Sequence, residues 1–255
     1  MLRGALTEHL DVAQVVLYAF WVFFAGLVFY IRREDRREGY PLETDKGGDV
    51  YKGGFPFIPD PKRFVLAHGA GTVLAPNGVR EPYPVNAVRT GNWPGAPLEP
   101  TGNPLLAGVG PGAYAQRADR PELTHHGDPK IVPLRGAPSF SLSPEDPDPR
   151  GFTVIGCDKA AGGTVTDLWI DQGELLVRYL EVNAGGNSVL VPMTFALVEG
   201  KRGTVYVHAL RGKQMADVPQ LRNADVVTML EEEKITAYFG AGTLYAIPTR
   251  AEPLL

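Results

Sequence analysis

Residues 12–31, VAQVVLYAFWVFFAGLVFYI, run for 20 positions without a charge and lead directly into RREDRR at 32–37. A helix rises about 1.5 Å per residue, so a run of this length spans the roughly 30 Å hydrocarbon core of a bilayer. Gln14 is the only strongly polar residue inside it, and Asp11 and Arg32 are the charges that bound it. A buried helix of a soluble domain would show a polar face, and this run has none. A cleavable signal peptide would have a basic leader, a shorter apolar core and a small-x-small cleavage site. Here the leader MLRGALTEHLD is of mixed charge, and the run closes on Phe29, Tyr30 and Ile31. The reading is a retained transmembrane helix. Arg32, Arg33, Arg36 and Arg37 outweigh Arg3 and the amino terminus, so the positive-inside rule expects residues 1–11 outside and 32–255 in the cytoplasm. Ala19 and Gly26 lie one heptad apart on one stripe, which would let another helix approach closely.

Outside the helix, composition excludes several classes. A net charge of −4 gives no electrostatic case for nucleic acid as a partner. The single cysteine, Cys157, excludes an internal disulfide framework and a cysteine-cluster metal site. Of the 23 prolines, 19 fall between Pro41 and Pro149. Proline fixes φ and removes a backbone donor, so this region is expected to form neither long helices nor a regular sheet. It nevertheless holds Phe55, Phe57, Phe64, Tyr83, Trp93, Tyr114 and Phe140, whereas disordered linkers are poor in aromatics. An ordered, extended strap lying on a surface fits both facts.

From Phe152 the texture changes to short runs rich in β-branched and aromatic residues: FTVIG, GTVTDLWID, LLVRYLEV, NSVLVPMTFALVE and GTVYVHAL. Turn signals such as AAGG, DQGE, NAGGN and EGKRG separate them. Five strands at this spacing point to a small antiparallel barrel or sandwich. A helix is expected over ADVVTMLEEEK (224–234), and a last strand around GTLYAIP (242–248). The expected organisation is an outer segment 1–11, a transmembrane helix 12–31, a Pro/Gly-rich strap 32–150, a mainly-β domain 151–250 and a tail 251–255.

Enzyme signatures are missing: there is no GxSxG, no GxxxxGK[ST] and no HExxH. GVGPGAY (108–114) is glycine-rich, but Pro111 and the lack of a preceding strand make it a loop that needs positive φ, not a phosphate cradle. Cys157 reads as a buried strand-end thiol rather than a catalytic one. Two clusters carry chemistry. His125, His126 and Asp128 in PELTHHGDPK can bind a divalent metal or exchange protons near neutral pH, or can be solvated surface residues. Asp167, Asp171 and Glu174 surround TDLWIDQGE, with Asp167 and Asp171 on the strand face of Trp169. Such carboxylates can relay protons, or simply form a turn and a barrel rim.

These residues also carry a resemblance. DVAQVVLYAFWVFFAGLVFYIRREDRREGYPLE (11–43), EPTGNPLLAGVGPGAYAQR (99–117), PELTHHGDPKIVPL (121–134), GCDKAAGGTVTDLWID (156–171), RYLEV (178–182) and LEEEKITAYFGAGTLYAIP (230–248) recur in order over nearly the whole length. On them the chain resembles the H subunit of the purple-bacterial photosynthetic reaction centre. TVTDLWID is also similar to the wider PRC-barrel family, in line with the small β-domain.

The resemblance implies a membrane-anchored, non-catalytic subunit that binds no pigment. It would cap the quinone side of the L and M subunits, which hold bacteriochlorophyll, bacteriopheophytin, quinones, non-haem iron and carotenoid. Antenna polypeptides and membrane lipids are further expected neighbours, in the inner (intracytoplasmic, chromatophore) membrane. The cap must admit protons to the secondary quinone while excluding solvent. His126 falls on a family histidine at the proton entry, which in the family also binds transition metals. Thr124 occupies the family's acidic position, Asp128 its second histidine position, and His125 is an added imidazole. Asp171 and Glu174 match the family's acidic residues on the interior path, and Asp167 reads as structural. The rival readings are a membrane-tethered PRC-barrel adaptor unrelated to light, and an anchored enzyme using His125, His126 and Asp128 on a metal.

Overall fold

A computed structural model describes residues 5–7, 10–40, 42, 43, 50, 51, 54–79 and 85–251. The outer segment 1–11 is thus covered only at 5–7, 10 and 11, and the tail 251–255 only at Ala251. Tyr83 of the strap lies outside the described residues. The chain divides into two compact units, one of residues 1–83 with 93–95, the other of 84–92 with 96–255.

The first unit is built on helix α1, Val12–Glu34. Its start is a capping box: the Asp11 carboxylate accepts from Gln14 N–H at 2.8 Å, and the Gln14 side chain accepts from Asp11 N–H at 3.1 Å. None of its residues is buried within the chain, and among the described residues it alone is long and apolar enough to cross a membrane. A hairpin, Lys62–Val65 against Thr72–Ala75, lies in the same unit. The helix end is tied to this region by its arginines. Arg36 donates to the carbonyls of Gly54 and Pro56. Arg37 forks onto Glu34 at 2.8 Å through Nε and Nη2, and its Nη1 reaches the carbonyls of Asp60 and Ala75 at 2.7 and 3.0 Å. Four carbonyls of this region thereby accept from two guanidinium groups.

The second unit is mainly β. Its sheet comprises β1 (Ile131–Pro133), β2 (Thr153–Gly156), β3 (Ala161–Asp171), β4 (Leu176–Ala184), β5 (Asn187–Pro192), β6 (Ala196–Glu199) and β7 (Thr204–Val207). The order is β5-β4-β3-β2-β7-β6, with β1 added beside the far end of β3. All pairings are antiparallel except β2 with β7. The sheet curls around Val154, Val165, Leu168, Leu180, Val182, Leu190 and Val205, each nearly or wholly inaccessible to solvent.

Three local expectations change. NSVLVPMTFALVE is two strands, because Pro192 ends β5 and a single 3-10 turn, Met193–Phe195, turns the chain into β6. The proline-rich strap does form short pairs, Ala87–Arg89 with Leu98–Pro100, and it supplies β1 to the main sheet. These fit between prolines, and Pro133 sits at the end of β1, where a missing donor costs least.

The third change is the largest. GTLYAIP is not a strand: α2 runs Met229–Tyr245, starting later and ending later than the pattern suggested. Thr228 sets the start, its hydroxyl accepting from Glu231 N–H at 3.2 Å while Glu231 accepts from Thr228 N–H at 2.9 Å. The helix hides its period because it is gripped on more than one side. A Cβ at Gly240 would lie 2.4 Å from the Pro111 carbonyl oxygen, and one at Gly242 would lie 2.4 Å from that of Ala209. GVGPGAY is therefore a clasp on α2, with Gly108 and Gly110 at positive φ and Gly112 close against Ala241.

Candidate functional site

Strand β3 carries two ionic centres four residues apart. At Asp167 the partner is Arg135, whose Nη1 lies 2.9 Å from Asp167 Oδ2 and 2.6 Å from Glu181 Oε2. Its Nη2 meets Asp225 at 2.9 Å and the Ala224 carbonyl at 2.7 Å. Glu181 also accepts from Trp169 Nε1 at 2.9 Å and from the Ser188 hydroxyl at 3.0 Å. Burial works against the guanidinium charge, but the bonds from Glu181, Asp225 and Asp167 outweigh it and hold the group firmly protonated. Every donor has an acceptor, so Asp167 is a structural tie.

The second centre is built differently. Asp171 ends β3 with no exposure at all. Its Oδ1 accepts from Gly173 and Glu174 N–H at 2.9 and 3.0 Å, which folds DQGEL into a tight turn and fixes Glu174 beside it. Its Oδ2 is buried without a hydrogen bond. Lys130 Nζ lies 3.4 Å from that oxygen, 3.5 Å from Glu122 and 3.5 Å from Glu174. Arg178 stands at 3.9 Å from Asp171 and 4.0 Å from Glu174. Burial would lower the Lys130 ammonium pKa, but attraction to Asp171, then Glu122, outweighs it and raises it. The cation is thus shared loosely among three carboxylates, of which Glu122 and Glu174 reach solvent and Asp171 does not.

Lys130 is delivered by the histidine hairpin. Lys130 N–H donates to the Glu122 carbonyl at 2.8 Å and Thr124 N–H to that of Asp128 at 2.7 Å, with Gly127 at positive φ. The base is locked to the β3 turn by Gln172 N–H on the Lys130 carbonyl at 2.9 Å. His125 and His126 project at the tip, both exposed, with ring centroids 4.1 Å apart. The Asp128 carboxylate makes no bond among the described residues, and no three His, Cys, Asp or Glu groups among them converge as metal ligands.

Structure therefore brings Asp171 and Glu174 together, and His125 next to His126, and it adds groups that sequence reasoning missed. Glu122 and Lys130 flank the quoted histidines and differ from ordinary surface charges only through the fold. Glu232 is the other. It accepts from the Tyr179 hydroxyl at 2.7 Å, and burial raises its pKa despite the opposing Tyr179 bond and the Arg178 and Arg117 charges. In LEEEK it looks like one of three equivalent helix-surface acids, and only packing singles it out.

A model of the PRC-barrel domain matches residues 145–214, over the curled sheet just described. Together with the N-terminal helix, this defines a PRC-barrel protein that carries one helix long and apolar enough to cross a membrane. A second model, the photosynthetic reaction centre H-chain N-terminal region, matches residues 4–136, more than half the chain. The chain belongs to the photosynthetic reaction-centre H-chain family. That family is a non-catalytic structural subunit of a reaction-centre complex, which removes the ground for an adaptor unrelated to light.

Proposed function

We propose that the chain caps the quinone side of the pigment-bearing L and M subunits and conducts protons to the secondary quinone. The single helix would anchor it in the inner, chromatophore-type membrane, with residues 32–255 on the cytoplasmic face and antenna polypeptides as further neighbours. Bacteriochlorophyll, bacteriopheophytin, quinones, non-haem iron and carotenoid would belong to L and M. This chain's share is a proton route.

One observation carries the reading: a fully buried carboxylate, Asp171, whose Oδ2 has no hydrogen bond and faces an ammonium shared with two partly exposed acids. A relay needs groups that exchange partners, and contacts of 3.4 to 3.5 Å are long enough to leave the ammonium tied to no single carboxylate. His126, with His125 and Asp128, would collect protons at the hairpin tip, and a transition metal recruited there would slow their uptake. Glu122 and Lys130 lead from the hairpin base to Asp171, and Glu174 would pass protons on. Replacing Asp171 by Asn and Glu174 by Gln should slow the second, proton-coupled electron transfer to the quinone by about 10²-fold, the scale of a lost positioned proton-transfer group. Unchanged kinetics and pH dependence in that double variant would remove the assignment.

A further inference from the structure

The RREDRR segment that follows the apolar run does more than mark its end. Arg36 is spent on the carbonyls of Gly54 and Pro56, and so pins the loop Gly54–Phe57 to the last turns of the helix. The loop carries two phenylalanines with little cover, Phe55 at 74% and Phe57 at 70% exposure. Phe55 is not directed at random. Its ring centroid lies 5.4 Å from that of Phe29, and Phe57 stacks edge-on against Phe55 at 6.3 Å.

Phe29 belongs to the uncharged run, three residues before Arg32. At about 1.5 Å per residue it lies some ~4.5 Å nearer the bilayer centre than the first arginine. A ring held against Phe29 inherits that depth. Aromatic rings at the boundary between headgroups and acyl chains are the usual interfacial anchors. Two exposed phenylalanines fixed at this level would be costly in water and are at home in lipid. The charge pattern agrees. The Arg33 side chain makes no hydrogen bond or ion pair among the described residues, and that of Arg32 pairs only with the exposed Asp35 at 3.1 Å, so both remain available to phosphate headgroups.

We infer that the Phe55–Pro56–Phe57 loop is a second membrane contact, inserted into the lipid interface beside α1 and held there by Arg36. It rests on the reading of α1 as a membrane anchor. The occupant is a lipid bilayer surface, because the depth comes from a residue of the spanning run itself.

The test places a nitroxide label at Phe57→Cys in a Cys157→Ser background, in the assembled complex in nanodiscs of phosphatidylcholine and phosphatidylglycerol. Collision rates with oxygen and with a water-soluble nickel chelate are compared with those of a label at exposed Glu145→Cys. The expected result is a several-fold higher ratio of oxygen to nickel collisions at position 57. Free access of the chelate would overturn the inference, and so would low rates with both agents, which would mean that protein covers the loop. Phe57 is chosen because Phe55, packed on Phe29, is the riskier substitution. Alkaline carbonate extraction of the full-length chain tests the anchor separately. Release as a soluble protein defeats anchor and loop together, whereas a retained chain with a water-accessible position 57 defeats only the loop.

Discussion

The two ionic centres on β3 each gather three carboxylates, around Arg135 in one and around Lys130 with Arg178 at its edge in the other, and differ in how tightly they are joined. Around Arg135 the ion-pair distances are 2.6 to 2.9 Å, and the fork geometry leaves each acceptor with a fixed donor. Around Lys130 they are 3.4 to 3.5 Å, and one buried oxygen is left without a bond. A guanidinium is a rigid, always charged fork, while an ammonium is a point charge on a flexible stem. The first suits a tie between β1's flank, β3 and β4. The second suits groups that must change partners, and a fully satisfied network could not do that work.

The largest expected effect breaks the tie. Arg135→Ala strips Asp167 and Glu181, both mostly buried, of their countercharge, and should cost about 3 kcal/mol or more of stability in a denaturant titration. The matching change in the other centre, Lys130→Met, leaves Arg178 at 3.9 Å as a countercharge to Asp171, so it should cost less stability and instead slow proton delivery. Equal losses of stability from both would erase the distinction.

A finer prediction concerns Glu232, on the neighbouring helix. Burial raises its folded pKa above the ordinary 4.5. The folded state therefore holds its proton more tightly than the unfolded one, so its contribution is fully present below 4.5 and is lost as pH rises through the raised value. Glu232→Gln should flatten that fall, keeping an acceptor for Tyr179, and stability measured across weakly acid to neutral pH would show it. A wild-type curve with the same slope as the variant would contradict the assignment. Smallest of all, Thr228→Ala should remove one half of the α2 capping box at about 1 kcal/mol, with no change in proton kinetics.

Much of the contrast was hidden in the sequence for physical reasons. The helix at 12–31 was legible because a bilayer demands length and apolarity from one continuous segment. The strands were legible through alternation and turn residues, while the resemblance alone pointed to Asp171 and Glu174 as groups of a proposed proton route. The start and end of α2 were not, because its buried face is set by contacts with Pro111 and Ala209 that come from distant segments. Gly240 and Gly242 look like turn residues until those carbonyls are seen. Glu122, Lys130 and Glu232 were likewise invisible. A charged residue gains a role from its burial and neighbours, and here those neighbours come from the histidine hairpin, the β3–β4 turn and α2.

The most direct measurement is flash-induced proton uptake by assembled reaction centres carrying Asp171→Asn or Asp167→Asn, followed with a pH-indicating dye. The account predicts uptake slowed by about 10²-fold in the first and unchanged in the second, provided that each complex assembles. Uptake slowed equally in both, or in neither, would contradict the claim that only the loosely bonded centre carries protons.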